Sequence, residues 1–179
     1  MTATERAARL RLMILDVDGV LTDGRLFIGP QGEAMKAFDV RDGHGIKMLM
    51  AAGIDVAVLT ARRSAIVAAR MRELGVKRVL QGQSDKRVGF AKLMEDTGCR
   101  AEECGYMGDD LPDLVVLKQV GFAAAPADAA EEVLAAAHWI SPREGGRAAV
   151  RSAAEFVLRA QGKWESTLSR HIPTDGVPA

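Results

Sequence analysis

An α/β fold, in which a parallel sheet carries helices on both faces, is predicted by three observations. Short apolar runs closed by turn residues recur at 10–15, 54–59, 78–80 and 104–107. Between them lie stretches with helical spacing of apolar residues, joined by short connections, and that alternation builds a parallel sheet. The polar residues that interrupt the pattern collect at the carboxyl ends of the runs, where open α/β sheets bind ligands.

Met1 to Arg11 is a charged, alanine-rich lead-in, loose or helical. The first strand runs into Asp16-Val17-Asp18-Gly19-Val20-Leu21-Thr22. Gly29-Pro30-Gln31-Gly32 is a turn between two short strand-like pieces, read as a β-hairpin standing off the main sheet. Its apolar residues Leu26, Ile28, Met35 and Phe38 need cover, which points to a subunit contact. A helix is expected over Asp42 to Ala52, stopped by Gly53, and a second strand over Ile54 to Thr60. Ser64 caps a helix to Leu74 that Gly75 ends. Arg78 to Leu80 is a third strand, Asp85 to Asp96 a helix closed by Gly98, and Cys104 to Met107 a fourth strand. Helix over Leu111–Gln119, strand over Gly121–Ala125, helix over Asp128–Ala137, strand at Trp139-Ile140 and helix over Gly146–Gln161 complete the order. The expected domain covers residues 1–162. Residues 163–179 read as a tail that is ordered only by docking, with the potential to close over a neighbour's site.

Composition narrows the functional class. Lys plus Arg (24) equals Asp plus Glu (24), so no basic excess points to nucleic acid or a membrane surface. Aromatic residues at 4% argue against base stacking. No apolar run reaches bilayer length and the N-terminus shows no apolar signal core, so a cytoplasmic protein is expected. Cys99 and Cys104 without a His or Cys cluster make a poor zinc site and read as reduced thiols.

Chemistry is concentrated at the strand ends. Strand alternation places Asp16 and Asp18 on one face, where two close carboxylates repel unless a cation compensates. Taken alone, an Asp-x-Asp-Gly run also reads as a capped turn. Thr60 ends the second strand, Lys86 follows the third, and Gly108-Asp109-Asp110-Leu111-Pro112-Asp113 follows the fourth. Arg62 and Lys86 sit at helix N-termini, where a cation opposes the helix dipole and a bound anion would offset the cost. An oxygen-rich acidic set suits Mg²⁺, which keeps waters for a phosphate.

These residues, in this order and spacing, resemble the four motifs of the haloacid dehalogenase superfamily of phosphohydrolases. That resemblance covers residues 13 to about 125 and implies a Rossmann-like sheet with a hairpin flap. No inserted cap domain is present, because only the hairpin and one helix separate Asp18 from Thr60. A closer resemblance, to about residue 164, is to the branch acting on an acidic eight-carbon sugar phosphate in lipopolysaccharide precursor synthesis. It is carried by the hairpin, Phe38-Asp39-Val40-Arg41-Asp42-Gly43-His44-Gly45, Gln81 to Lys86, and Gly145-Gly146-Arg147-Ala148-Ala149-Val150-Arg151. Lys47 stands where that branch often has arginine, which keeps the charge and loses the fork.

The resemblance implies an aspartyl-phosphate mechanism with Asp16 as nucleophile and Asp18 as proton donor and acceptor. Thr60 and Lys86 bind the phosphoryl oxygens. Mg²⁺ is held by Asp16, the main-chain carbonyl of Asp18 and the carboxylate of Asp109. Asp113 orients Lys86, and Asp110 either supports the metal or caps a helix. A homotetramer is implied, in which Asp18, Asp39, Val40, Arg41, Asp42, Gly43, Lys47, Arg62, Arg70 and Lys86 bind substrate beneath a neighbouring subunit. A same-superfamily phosphatase for another sugar phosphate is the nearest rival. A phosphorylation-receiver domain would need an Asp at the end of the third strand, where Val79-Leu80-Gln81-Gly82 has none. A non-catalytic binding module would have no use for Asp16 and Asp18 together.

Overall fold

The computed structural model describes residues 1–172. Among the described residues are eight strands: β1 (Leu12–Leu15), β2 (Phe27–Gly29), β3 (Gly32–Met35), β4 (Asp55–Leu59), β5 (Arg78–Leu80), β6 (Cys104–Met107), β7 (Phe122–Ala125) and β8 (Trp139–Ile140). Six form one parallel sheet in the order β5-β4-β1-β6-β7-β8, and β2 and β3 pair antiparallel as a separate hairpin. The central strand β1 is apolar throughout because both its faces are covered. Alternation splits its side chains between two cores. Met13 and Leu15 face α1 (Ala3–Ala7), α2 (Val40–Ala51), α3 (Ala65–Leu74) and α7 (Ala149–Ala160). Leu12 and Ile14 face α4 (Lys86–Thr97), α5 (Leu114–Leu117) and α6 (Glu131–Ala136). The predicted two-faced α/β sheet is therefore the observed one.

Several predicted elements shift for local reasons. Asp39, not a later residue, caps α2 by accepting from the N–H of Arg41, and Asp85 caps α4 through Arg87. The helix expected over 111–119 divides into a 3-10 turn, Leu111–Asp113, and α5, because Pro112 stands at its start and the Asp113 carboxylate turns back to the chain before it. α6 begins at Glu131 rather than Asp128, whose carboxylate accepts from the N–H of Gly145. α7 begins at Ala149, since Gly146 and Ala148 adopt left-handed φ values of 64° and 74°.

The boundary drawn after Gly162 falls between α7 and α8 (Trp164–Leu168). Lys163 and Arg170 donate to the carbonyls of Ala52 and Ala51, and the Arg159 guanidinium lies 4.2 Å from the Trp164 ring centroid. Residues 163–172 thus lie on the chain's own domain, and the rest of the expected tail, 173–179, lies outside the described residues. On the hairpin, Leu26, Phe27, Ile28 and Met35 are exposed, while Phe38 packs against the core. Among the described residues no helix is long and apolar enough to cross a membrane.

Candidate active site

The carboxyl ends of β4, β1 and β6 lie side by side and bring three distant segments together. Asp16 prolongs β1 by one residue, its N–H donating to the carbonyl of Met107 at 3.0 Å. The chain then turns tightly, with the N–H groups of Val20, Leu21 and Thr22 all donating to the carbonyl of Val17. Gly19 is indispensable to that turn. Its φ is +85°, and a Cβ there would stand 2.0 Å from a carboxylate oxygen of Asp109. The outer side of the turn rests on Gly145-Gly146. A Cβ at 145 would meet the Gly19 carbonyl oxygen at 1.8 Å, and the N–H of Gly146 donates to the carbonyl of Val20 at 2.9 Å.

At the centre lies Lys86, buried at the start of α4. Its ammonium donates to Asp16 at 2.8 Å, to the Tyr106 hydroxyl at 3.1 Å and to Asp113. Asp113 also accepts from the Tyr106 hydroxyl at 2.5 Å and from the N–H groups of Asp109 and Asp110 at 3.0 and 3.2 Å. Carboxylate oxygens of Asp16, Asp109 and Asp113 lie within 4.8 Å of one another. Burial, opposed by Lys86 and reinforced by the Asp113 carboxylate, pushes Asp16 up to about 6. Burial, then Asp113 and Asp16, pushes Asp109 up to about 8. Burial works against the Lys86 ammonium, yet Asp16 and Asp113 outweigh it and hold its proton more tightly than usual. With all three carboxylates ionised, one ammonium leaves an excess of two negative charges, which a divalent cation fits.

Asp16, Asp18, Thr60, Arg62, Lys86, Asp109, Asp110 and Asp113 all line one cavity of about 330 Å³. The acidic cluster holds both carboxylates of the expected ligand set, Asp16 and Asp109, with Asp113 beside them. The Asp18 carboxylate turns toward Lys36 and Arg62, and the expected ligand from that residue was its main-chain carbonyl. Exposed Asp110 caps the 3-10 turn, accepting from Leu111 N–H at 2.8 Å.

The other predicted substrate residues stand apart within one chain. Val40, Gly43, Lys47 and Arg70 line a hollow of about 250 Å³, shared with His44 and Glu73. Asp39 and Arg41 line another of about 220 Å³, beside Asp23 and Arg147. Asp42 faces none of these. Helix register turns it inward beneath α7, where its buried carboxylate accepts from the N–H groups of Ala148 and Arg151 at 3.2 and 2.7 Å.

Sequence reasoning missed Tyr106, Glu33 and Lys36. Tyr106 is the chain's single tyrosine and lies on a buried strand, where a phenol needs a partner. Glu33 and Lys36 lie three residues apart on one hairpin arm, a spacing at which opposite charges can pair.

The sequence model of the haloacid dehalogenase-like hydrolases matches residues 72–149. The 3-deoxy-D-manno-octulosonate 8-phosphate phosphatase of Yersinia pestis is 47% identical over 94% of this chain and 90% of its own. That of Escherichia coli K12 is 41% identical over 93% and 89%. The corresponding enzyme of Moraxella catarrhalis, solved with magnesium ion, phosphate ion and a KDO molecule, superposes with a TM-score of 0.92 at 35% identity, covering 95% of this chain and 98% of that one. With near-complete coverage of both partners and an acidic cluster at the expected strand ends, the chain belongs to the haloacid dehalogenase-like hydrolase family, on the branch of the 3-deoxy-D-manno-octulosonate 8-phosphate phosphatases.

Proposed function

We propose that the protein hydrolyses 3-deoxy-D-manno-octulosonate 8-phosphate to the free sugar acid and phosphate, a step of lipopolysaccharide precursor synthesis. The observation that carries this reading is the convergence of Asp16, Lys86, Asp109 and Asp113 in one cavity, from segments far apart in the chain. Asp16 and Asp109, with the main-chain carbonyl of Asp18, are the residues that would hold Mg²⁺. Bound there, the ion supplies screening between an attacking carboxylate and a phosphate dianion.

The chain's own groups do the rest. Asp16, which lines the cavity and is held through one oxygen by Lys86 and through the other by the N–H of Val17, attacks phosphorus, forming an aspartyl-phosphate as the P–O bond to the sugar breaks. A sugar alkoxide is a poor leaving group, so Asp18 gives it a proton. Asp18 then takes a proton from the water that attacks phosphorus, and the bond to Asp16 breaks to release phosphate. Thr60 and Lys86 bind the phosphoryl oxygens, and Asp113 and Tyr106 keep the Lys86 ammonium aimed.

Arg62 on the cavity rim, and Lys47 and Arg70 in the second hollow, supply cations for an acidic substrate. The two hollows become one pocket with the main cavity only if a neighbouring subunit completes it. The exposed apolar hairpin supports such an assembly, a homotetramer, and a cytoplasmic setting accords with two free buried cysteines. Phosphate release from a panel of sugar phosphates, with and without Mg²⁺, tests the reading. The eight-carbon acid phosphate should be preferred, release should require the ion, and Asp16→Asn should lose on the order of 10⁴-fold or more. Equal turnover of the panel, or release by Asp16→Asn, would refute it.

A further inference from the structure

The hairpin reaches into the site as well as standing over it. Lys36 follows β3, and its side chain is 1% exposed although its neighbours Met35 and Ala37 face outward. Its ammonium pairs with Oδ1 of Asp18 and lies 3.1 Å from Oε1 of Glu33. Oε2 of Glu33 accepts from the hydroxyl of Ser64, the residue that caps α3. Arg62 meets the same two carboxylates loosely, at 3.6 Å from Oδ2 of Asp18 and 3.8 Å from Glu33, with 45% of its side chain exposed. A buried ammonium is costly unless paired, and this one is paired with the group assigned to proton transfer. Arg62 lines the cavity and Lys36 does not, so Lys36 acts from behind Asp18.

We propose that Lys36 is a positioning residue for proton transfer by Asp18, an inference that rests on the reading of Asp18 as acid. By fixing Oδ1 it leaves Oδ2, the oxygen nearer Arg62, to exchange the proton. It also stabilises the carboxylate that remains when the proton departs. In that half-reaction Asp16 bonds to phosphorus and the P–O bond breaks with its electron pair on the sugar oxygen. That oxygen takes the proton from Oδ2 of Asp18, and Lys36 keeps its own protons throughout. Arg62, more loosely held, is left to bind substrate.

The two roles separate by leaving group. With enzyme in excess, first-turnover release is compared for 3-deoxy-D-manno-octulosonate 8-phosphate, whose alkoxide needs a proton, and p-nitrophenyl phosphate, whose phenolate does not. Lys36→Met is expected to slow the sugar ester about 10- to 100-fold and the aryl ester less than about 3-fold, with half-saturation nearly unchanged. Lys36→Arg keeps the charge and should recover part of the rate. Lys36→Gln, which keeps most of the side chain's length, carries the same comparison if the Met variant does not fold. Arg62→Met should instead raise the half-saturating concentration. Equal loss on both esters, or a loss confined to half-saturation, overturns the role of Lys36. Asp18→Asn separates the two layers. Selective loss there with equal losses in Lys36→Met overturns this proposal alone, whereas equal losses in Asp18→Asn overturn the reading of Asp18 on which it rests.

Discussion

Lys86 is held by two carboxylates and a phenol, so its position depends on residues that need not touch substrate. Asp113 has the larger share, because it also takes the N–H groups of Asp109 and Asp110 and so fixes the backbone that carries the Asp109 carboxylate. Asp113→Asn keeps the shape and removes the charge. It should lower Mg²⁺ affinity and phosphate release about 10- to 100-fold, measured by titrating activity with the ion. The acidic residues themselves were legible in the sequence, since Asp16, Asp18 and Asp109 each close an apolar run. Tyr106 was not, because a strand residue between Gly105 and Met107 carries no local sign that its hydroxyl meets Lys86 and Asp113. Lys36 was hidden likewise, for a lysine on a hairpin ordinarily reads as solvated, and its partner lies on another element.

Elements set these side chains by close approach. The turn after β1 admits the Asp109 carboxylate only because position 19 has no side chain. Gly19→Ala should cost about 1–2 kcal/mol from its left-handed φ, seen as a lowered melting temperature. It should also reduce Mg²⁺-dependent turnover far more than that stability loss explains, because the added methyl occupies the place of a carboxylate. Asp42 ties α2 to α7 by the same logic of contact. In the sequence it stands among Asp39, Arg41 and Gly43 and shares their reading as a substrate residue. Its actual partners, Ala148 and Arg151, lie at the start of α7, and no local pattern announces them. Burial raises its carboxyl from 3.8 to about 6. The folded state therefore holds that proton more tightly than the unfolded chain. The resulting stability is fully present below about pH 4 and is lost as pH rises through about 6, a change of up to roughly 3 kcal/mol. Denaturant titrations across that window should show a smaller fall in Asp42→Asn than in the wild type, because Asp16 and Asp109 contribute in both.

For the whole molecule, strand alternation and strand-end chemistry were readable, and the layered sheet follows from them. What would join the separate hollows in the proposed assembly was not, because a surface awaiting another copy leaves only exposed apolar residues in one chain. Phe27→Glu with Ile28→Glu should therefore yield a smaller species by sedimentation and a KM for the sugar phosphate raised about tenfold or more, since a charge opposes burial at an interface. The contact of Gly145-Gly146 with the turn at Gly19 has a bearing on how the enzyme is made. A nascent chain that has left the ribosome only as far as residue 140 already contains Asp16, Thr60, Lys86, Asp109 and Asp113. It still lacks the backbone against which the turn beside Asp18 is braced, so catalysis should switch on late in translation, and a stalled or clipped product should be inert with every reactive group present.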